Sequence, residues 1–386
     1  MKKVIIFTSD LYEGGVAEST RKIATILCEK ADVTLCSYDS VPIKKELPNS
    51  VKLINFNLPL SAGFRKTSIG RKVVKLTRFV VLPFALLKLY LVIRKTRADV
   101  VYSMTYIPNI INALCSKFLK YKCILSERQD PREDLNEGSL LAKAVKNVYP
   151  IADYIHVNSE EMNDAIVEFY GISKDKLFYF DNFFFKDEIK TLGEKAADLQ
   201  ITNKFKLVTS GRLSAQKGQW HLIKIVERLR ARGLDVGLLI LGEGELREEL
   251  EKLSEQLNIS EHVHLIGNVN NPHSYVAKSD LFIFPSLWES FGNTLVEAMA
   301  LGVPVASTIC RSGPKQIIKD GEFGLSLGLL PYYGEELSSE AVEIICDDLE
   351  QLLSHKLAHY SALSLKGYSR FDATELAPKI EKLFLN

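Results

Sequence analysis

The sequence lacks the residue patterns of a metal or redox site. Its six cysteines lie far apart, mostly among apolar residues and without a Cys-x-x-Cys or Cys/His spacing, so we expect buried thiols in a reducing compartment. No Asp-x-Asp occurs anywhere in the chain, and a divalent ion would therefore lack its usual carboxylate pair. His355 and His359 are spaced i, i+4, but no third ligand is near them in the sequence. We expect neither a metal ion nor another cofactor.

Long hydrophobic runs are also missing. The N-terminal segment resembles a signal peptide only superficially, because its apolar core spans just residues 4–7, and we expect it to form the first strand. Between residues 71 and 95 the longest uninterrupted apolar run has nine residues, 79–87, and it contains Pro83. That run is too short to span a bilayer.

A large net charge is absent as well. The chain carries +1 at pH 7, which argues against a dedicated nucleic-acid binder. This average hides an asymmetry, because residues 1–200 contain 30 basic and 24 acidic residues whereas the remainder contains 19 and 24. The basic excess is concentrated between residues 65 and 97, where ten basic residues and no acidic residue occur.

Arg71, Lys75 and Arg78 form a basic stripe within that segment, at spacing i, i+4, i+7. Such a stripe beside apolar residues is typical of a helix lying on an anionic membrane face, where each basic residue adds about 1 kcal/mol. We expect Lys72 to take part in the same contact. The alternative is a crossover helix packed on a sheet, with its lysines merely solvated. We favour membrane contact.

The order of apolar runs predicts two α/β domains. A chain of 386 residues is too long for one ordinary core. Short β-branched runs alternate with helical patterns up to residue 185, and the alternation restarts after the polar stretch 186–204, the predicted linker. Alternation of this kind indicates βαβ units and a parallel sheet in each domain. Because such sheets bind ligands at the carboxyl ends of their strands, we expect the active site in a cleft between the domains.

The stretch "VTSGRLSAQKG" places Gly211, Arg212 and Lys217 at a strand-to-helix turn. Glycine lets the backbone approach a ligand, and a helix N-terminus favours an anion. The planar guanidinium and the compact ammonium together suit a diphosphate. Taken alone, the turn fits a solvated loop equally well.

The stretch "ESFGNTLVE" places two carboxylates across a loop that opens into a helix. We expect Glu289 in the exit loop of a buried strand, Asn293 as the N-cap of the helix, and Glu297 in its first turn. Both carboxylates would then face one cleft. Glu297 is assigned to a ribose diol and Glu289 to sugar hydroxyls or a partly positive sugar ring. The plainer alternative makes Glu297 a helix-dipole partner and Glu289 an exposed loop charge.

These motifs together resemble those of retaining glycosyltransferases of family 4. The similarity rests on "GRLSAQKGQ", "LILGEGELREELEKL", "VHLIGNVNN", "DLFIFPSLWESFGNTLVEAMALGVPVAS" and "CRSGPKQIIKDGEFGLSL", and more loosely on "GGVAE" and "SERQDPRE" in the first half. The resemblance implies the GT-B fold, with two Rossmann-like domains facing a central cleft. It implies an acceptor-binding domain over residues 1–190, a nucleotide-sugar-binding domain over 200–366, and a C-terminal helix over 367–386 that packs back on the first domain.

The resemblance also implies a role for each matching residue. Arg212 and Lys217 would clamp the donor diphosphate and neutralise its growing charge, and Glu289 would contact the transferred sugar. The implied donor-binding residues are Gly14, Gly15, Gly211, Phe291, Gly292, Asn293, Thr294 and Glu297. Where many relatives have a histidine at the end of an N-terminal strand, this chain has Glu127 and Arg128, which we place on the acceptor side. The group that receives the acceptor proton stays open. A second departure is Lys315-Gln316, where relatives commonly have a basic residue followed by a glutamate.

The predicted function is transfer of a sugar from a nucleotide-sugar to a lipid-linked or polysaccharide acceptor, as in assembly of bacterial surface polysaccharides. UDP is preferred on family frequency, and the predicted location is the cytoplasmic face of the plasma membrane. A glycosidase also uses two carboxylates but does not explain the Arg/Lys pair. A nicotinamide dehydrogenase is disfavoured because "SDLYEGGVAEST" lacks Gly-x-Gly-x-x-Gly. A non-catalytic glycan-binding scaffold is the remaining alternative.

Overall fold

The computed structural model describes residues 1–9, 11, 15–38, 46–58, 68–128, 131–136, 138–199, 201–310 and 313–386, without the side chains of residues 68–81, 133–134 and 161. The chain divides into two compact units. The first consists of Met1–Phe183 together with Leu376–Asn386, and the second of Phe184–Glu375.

The first unit is built on a seven-stranded sheet in which every neighbouring pair is parallel. The strand order is β3-β2-β1-β4-β5-β6-β7, which extends the Rossmann order by one strand. The strands are β1 (Lys2–Thr8), β2 (Ala31–Ser37), β3 (Lys52–Asn55), β4 (Val100–Met104), β5 (Lys122–Glu127), β6 (Tyr154–Val157) and β7 (Leu177–Tyr179). The sequence patterns predict all of these except β7, whose three residues are too few to show a period.

Helices cover this sheet, and the longest of them buries one of its faces in the core. The helices of the first unit are α1 (Gly15–Leu27), α2 (Ser68–Thr96), α3 (Tyr106–Ser116), α4 (Pro131–Asp134), α5 (Leu140–Val148) and α6 (Glu161–Tyr170). Helix α2 continues through Pro83. Ala85, Leu89 and Ile93 are buried in the core beside β1 and β4. No helix in the described part of the chain is both long and apolar enough to cross a bilayer.

The second unit is built on a six-stranded parallel sheet of order β10-β9-β8-β11-β12-β13. Its strands are β8 (Phe205–Ser210), β9 (Val236–Leu241), β10 (Val263–Gly267), β11 (Leu281–Phe284), β12 (Val305–Ser307) and β13 (Leu325–Ser326). Its helices are α7 (Lys186–Gly193), α8 (Gln219–Ala231), α9 (Arg247–Gln256), α10 (Pro272–Val276), α11 (Asn293–Ala300), α12 (Gly313–Ile318), α13 (Ser339–Gln351) and α14 (Leu357–Tyr368). Helix α15 (Ala373–Leu385) begins in this unit and ends in the first one.

Strand β11 shows why the central strands read as continuous apolar runs. Leu281 and Ile283 enter the core cluster on one face of the sheet, and Phe282 and Phe284 enter the cluster on the other. Side chains alternate across a strand, so a strand covered on both faces must be apolar at every position. The prediction of two α/β domains with parallel sheets is confirmed.

The boundary between the units differs from the predicted linker. Residues 186–193 form α7, with Ile189 buried in the second unit, because a surface helix needs only one apolar face and can be polar elsewhere. At the other end, residues 367–375 stay with the second unit and residues 376–386 join the first. There the ring of Phe384 packs 5.0 Å from that of Tyr102, and Lys122 Nζ donates to the Leu383 carbonyl at 2.7 Å.

The cysteines carry no cross-links. All six are free thiols, and five of them are buried. Burial raises the pKa of Cys36 and of Cys123 to about 12, so these thiols stay neutral and unreactive at physiological pH.

Candidate active site

The turn that follows β8 holds three of the predicted residues. A short 3-10 turn, Ala215–Lys217, links it to α8. Gly211 donates its N–H to the Leu241 carbonyl at 2.9 Å, which fixes the turn against the end of β9. The aliphatic stem of Lys217 lies over Gly211, where an added Cβ would be 3.4 Å from Lys217 Cδ. The lysine stem thus packs on the backbone of the turn as it returns toward the sheet edge.

Lys217 Nζ contacts Glu289 Oε1, forming an ion pair between the turn after β8 and the loop after β11. The two side chains are only 21% and 11% exposed, so water screens the pair weakly. The ammonium also lies 5.6 Å from the centroid of the Phe284 ring. Near the pair, burial raises the pKa of the Cys310 thiol to about 12. This thiol is therefore neutral at physiological pH and adds no charge beside the ion pair.

Backbone contacts hold these two loops together. The Gln216 side-chain amide donates to the Trp288 carbonyl at 2.9 Å, and the Leu287 N–H donates to the Gln216 carbonyl at 2.8 Å. Gly218 has φ 63°, and a Cβ there would lie 2.4 Å from the Pro285 oxygen. Only glycine allows this approach. The positions of Lys217 and Glu289 are thus set by the backbone and not by their charges alone.

Arg212 is placed differently from Lys217. Its guanidinium is 72% exposed and pairs at 3.1 Å with Glu245, in the loop after β9. Among the described residues it has no ion pair with Glu289 or Glu297. An exposed pair of this kind is worth at most about 1 kcal/mol, so a stronger anion can displace the carboxylate at little cost. Glu245 is a site neighbour that the sequence analysis missed.

The start of α11 differs from the expectation in two ways. The N-cap is Gly292, at φ 113°, and not Asn293, which is already the first helical residue. Glu297 is consequently the fifth helical residue and lies beyond the first turn, so it is not a first-turn dipole partner. The reason is the left-handed backbone at this corner, which glycine adopts without strain and asparagine adopts less readily.

Glu297 lies in a small pocket at the carboxyl end of β8. Ser210, His273 and Thr294 share this pocket with it. Its Oε2 is 3.4 Å from His273 Nε2, and the two side chains are 22% and 14% exposed. His273 Nδ1 is buried and has no hydrogen-bond partner in the described part of the chain. His273 was not among the predicted residues, although only Pro272 separates it from the "VHLIGNVNN" motif.

Phe291 belongs to the core. It is 2% exposed, and its ring packs perpendicular to that of Phe371 with centroids 5.6 Å apart. Gly313 presses on its carbonyl, since a Cβ on Gly313 would lie 1.5 Å from the Phe291 oxygen. Only the backbone of Phe291 can therefore take part in a site. The Thr294 hydroxyl donates to the Ser210 carbonyl at 3.5 Å and links α11 to the end of β8.

On the first unit, Glu127 and Arg128 follow β5. Glu127 is 2% exposed and accepts hydrogen bonds from the Tyr149 hydroxyl at 3.2 Å and from the Arg128 N–H at 3.0 Å. Arg128 is partly exposed and donates to Asn182 Oδ1 at 2.6 Å. Next to them, burial and then the charge of Arg128 hold the pKa of His156 well below its usual range. Glu127 is thus a structural anchor within this unit, and Arg128 is the more accessible of the two.

The predicted glycines around the start of α1 and the basic residues of α2 lie wholly or partly outside the described residues. Gly14 lies outside the described residues, and Gly15 is the first residue of α1. The basic stripe and Lys72 lie in α2, but their side chains are outside the described part of the structure. Within the described residues, no group of three or more His, Cys, Asp and Glu side chains is placed to hold a metal ion.

Comparison with known proteins agrees with this architecture and defines the class of protein. A solved structure of the Anabaena protein Alr3699/HepE in complex with UDP matches 99% of both chains with a TM-score of 0.74 at 19% identity. This likeness shows the GT-B fold. The family and the relatives that match the sequence show that the chain is a glycosyltransferase.

The chain belongs to the family "Glycosyl transferases group 1", whose model matches residues 193–348. An uncharacterized glycosyltransferase of Methanocaldococcus jannaschii is 34% identical over 66% of this chain and 67% of that protein. The N-acetylgalactosamine-N,N'-diacetylbacillosaminyl-diphospho-undecaprenol 4-alpha-N-acetylgalactosaminyltransferase of Campylobacter jejuni is 31% identical over 84% of this chain and 86% of that protein.

Proposed function

We propose that this protein is a retaining glycosyltransferase of family 4, which moves a sugar from a UDP-sugar to a lipid-linked or polysaccharide acceptor in bacterial surface polysaccharide synthesis. The observation that carries the proposal is the weakly screened Lys217–Glu289 pair at the carboxyl edge of the second sheet. A cation and a carboxylate held side by side match the two halves of a sugar nucleotide, its diphosphate and its sugar hydroxyls.

The pair suggests how donor binding proceeds. A diphosphate carries more charge than one carboxylate, so it draws the Lys217 ammonium from Glu289 and frees that carboxylate for sugar hydroxyls. Arg212 leaves its exposed partner Glu245 and joins the diphosphate. Glu297, beside His273, holds the ribose. The binding of the donor thus completes a site whose charges are compensated beforehand.

The chemistry assigned to this site is front-face substitution. The bond between the anomeric carbon and the diphosphate oxygen breaks. The acceptor hydroxyl attacks from the same face and gives its proton to the departing diphosphate, so the configuration is retained. Lys217 and Arg212 stabilise the negative charge that develops on the departing diphosphate. These cations replace a metal ion in the proposed mechanism.

Two relatives support the choice of donor and acceptor. The Campylobacter jejuni protein is named for a diphospho-undecaprenol acceptor, and the Anabaena structure contains UDP. We therefore take a UDP-sugar and a lipid-linked saccharide as the first substrates to test.

Helix α2 supports contact with the inner face of the plasma membrane. Phe84, Leu87 and Leu91 are 58%, 53% and 52% exposed and recur at helical spacing, on the side away from the buried residues of this helix. Exposed apolar residues on a helix whose first half is rich in basic residues are a feature of interfacial helices. The membrane would then bring a lipid-linked acceptor to the enzyme.

The test is a panel of UDP-, GDP- and ADP-sugars with the purified protein, scored by thermal shift and by nucleotide release, followed by product NMR to establish the anomeric configuration. A UDP-sugar should stabilise the protein and turn over. Inversion at the anomeric carbon would refute the retaining mechanism. Release of sugar from a bare glycan without donor would indicate a glycosidase, and glycan binding without any turnover would indicate a scaffold.

A further inference from the structure

An aromatic patch lies at the same edge of the second sheet as the Lys217–Glu289 pair. We define it as Trp288, Leu329, Tyr332 and Tyr333, which are 40%, 70%, 60% and 47% exposed. Trp288 belongs to the loop after β11, and the other three residues follow β13. Loops at the carboxyl ends of parallel strands meet at one edge of the sheet, so these rings are close neighbours of the site.

The three rings of the patch are held by contacts even though they are exposed. The rings of Trp288 and Tyr332 lie 6.0 Å apart at 33°, and the Tyr333 ring packs edge-on against Trp220 at 5.2 Å. The Tyr333 hydroxyl donates to Glu249 at 2.6 Å. Rings held in fixed positions lose little conformational freedom when a ligand covers them.

The loop that carries the tyrosines is anchored from below. Leu330 is buried in the core, and His221 Nε2 donates to the Pro331 carbonyl at 3.0 Å. The Tyr332 carbonyl accepts from the Glu335 N–H at 3.0 Å, which closes a turn. The backbone therefore holds aromatic side chains at the surface although the core lies directly beneath them, and exposed patches of this kind commonly mark binding sites.

The charge around the patch selects among possible ligands. Residues 328–343 include four glutamates and no basic residue. Two of them are paired with basic residues in or next to α8, Glu336 with Lys224 and Glu343 with Arg228 and Arg232, so the charge around the patch is largely balanced. Without an excess of basic residues, the patch is unsuited to the contact with anionic lipid assigned to α2. A neutral sugar ring has an apolar C–H face that fits an aromatic ring and hydroxyls that fit carboxylates.

Trp288 connects the patch to the chemistry. It directly precedes Glu289, and its carbonyl is held by Gln216, which directly precedes Lys217. A saccharide resting on Trp288 and Tyr332 would thus lie next to the carboxylate proposed to contact the transferred sugar. We infer that the aromatic patch binds the neutral saccharide chain of the acceptor, at residues beyond the one that receives the new sugar. This inference rests on the proposed function.

The test measures binding of two neutral tetrasaccharides, maltotetraose and chitotetraose, to the full-length protein. The chain has two tryptophans, and because Trp220 is 8% exposed and Trp288 is 40% exposed, a sugar that covers the patch changes the emission of Trp288. We expect at least one tetrasaccharide to change its emission, and Tyr332→Ser to weaken that binding about two- to tenfold, the range of one aromatic contact. Saturation-transfer NMR on the wild-type protein checks that the sugar itself is contacted.

Two matched controls separate the patch from general surface effects. Ile344→Ser changes an apolar residue of the second unit that is 56% exposed and outside the patch, and Phe118→Ser changes an aromatic residue of the first unit that is 74% exposed. Neither change should alter tetrasaccharide binding. Equal weakening by either control would overturn the assignment to the patch.

Other outcomes also overturn the inference. The wild-type protein could fail to bind either tetrasaccharide, or Tyr332→Ser could bind with unchanged affinity. Leu329→Ser could lose flotation with phosphatidylglycerol vesicles while it binds sugar normally, which would make the patch a membrane contact. Tyr332→Ser or Leu329→Ser could dissociate a dimer, which would make the patch a subunit interface. Turnover of a UDP-sugar without tetrasaccharide binding would refute the role of the patch and leave the proposed function standing. Tetrasaccharide binding without turnover of any nucleotide-sugar would instead contradict the proposed function.

Discussion

The Lys217–Glu289 pair allows a structural role to be separated from a catalytic one. Replacing Lys217 by Met keeps an unbranched, uncharged stem of similar length over Gly211 and removes the ammonium group. Glu289, with 11% of its side chain exposed, then keeps its charge without a counter-ion. Breaking a fully buried pair costs about 3–5 kcal/mol. Because Lys217 is 21% exposed and water partly replaces it, we expect a loss of about 1–3 kcal/mol in the free energy of unfolding.

The expected effect on turnover is larger than the effect on stability. Loss of one preorganised charge at the departing diphosphate costs about 2–4 kcal/mol in the transition state, which is roughly a 30- to 1,000-fold fall in kcat. The double variant Lys217→Met/Glu289→Gln should recover most of the lost stability, since no uncompensated charge remains, but none of the lost rate.

The assay is a double-mutant cycle. Urea unfolding and UDP release are measured in the wild-type protein, Lys217→Met, Glu289→Gln and the double variant. Lys252→Met is the matched control, because Lys252 pairs with Glu248 at 2.7 Å in the same unit while both side chains are well exposed. That change should alter the unfolding free energy by less than about 1 kcal/mol and leave turnover unchanged. Near-normal turnover in Lys217→Met, or recovery of the rate in the double variant, would refute the assigned role.

Four further predictions concern other parts of the molecule. Glu297→Gln should raise the KM for the donor about tenfold, as expected for loss of charge-assisted hydrogen bonds to the ribose, and an unchanged KM would remove that role. Gly218→Ala should lower the unfolding free energy by more than about 1 kcal/mol in urea titrations, because its Cβ would meet the Pro285 oxygen and its φ is positive; equal stability would show that the loop can shift. Below about pH 6.5 the unfolded chain binds a proton at residue 156 that the buried His156 of the folded chain does not bind. The free energy of unfolding should therefore decrease as the pH is lowered, by up to about 1.4 kcal/mol per pH unit, and His156→Asn should flatten that slope between pH 7.5 and 5.5. Reversing the three charges of the basic stripe to Glu should reduce flotation with anionic liposomes at low salt, and unchanged partitioning would exclude the membrane contact.

Much of the fold follows from local patterns along the chain. Runs such as "DLFIFPS" predict strands buried on both faces, and their alternation with helical periods predicts the two parallel sheets, a prediction that the structure confirms. The failures lie where local signals are weak. Strand β7 has three residues, and α7 is polar apart from the side that carries Ile189.

Residue types at the site could be selected from the sequence, but their partners could not. Lys217 and Glu289 stand 72 positions apart, and they meet because β8 and β11 are neighbours in the second sheet. Arg212, chosen by the same motif, pairs with Glu245 because that loop follows β9 on the other side of β8. His273 gave no signal, since a lone histidine beside a proline has no period or spacing.

By itself, the sequence determined the class of fold, most of its strands and helices, and the identity of the charged residues at the strand-to-helix turns. Hydrophobic periodicity and turn chemistry are properties of neighbouring residues, so they can be read from the sequence. Tertiary structure alone decided which charges meet, that Phe291 enters the core, that Gly292 and not Asn293 caps α11, and that four aromatic and apolar side chains gather at the edge of the second sheet. Those outcomes depend on which strands pair and how closely their loops approach, and the free energy that decides them comes from contacts between residues far apart in the chain.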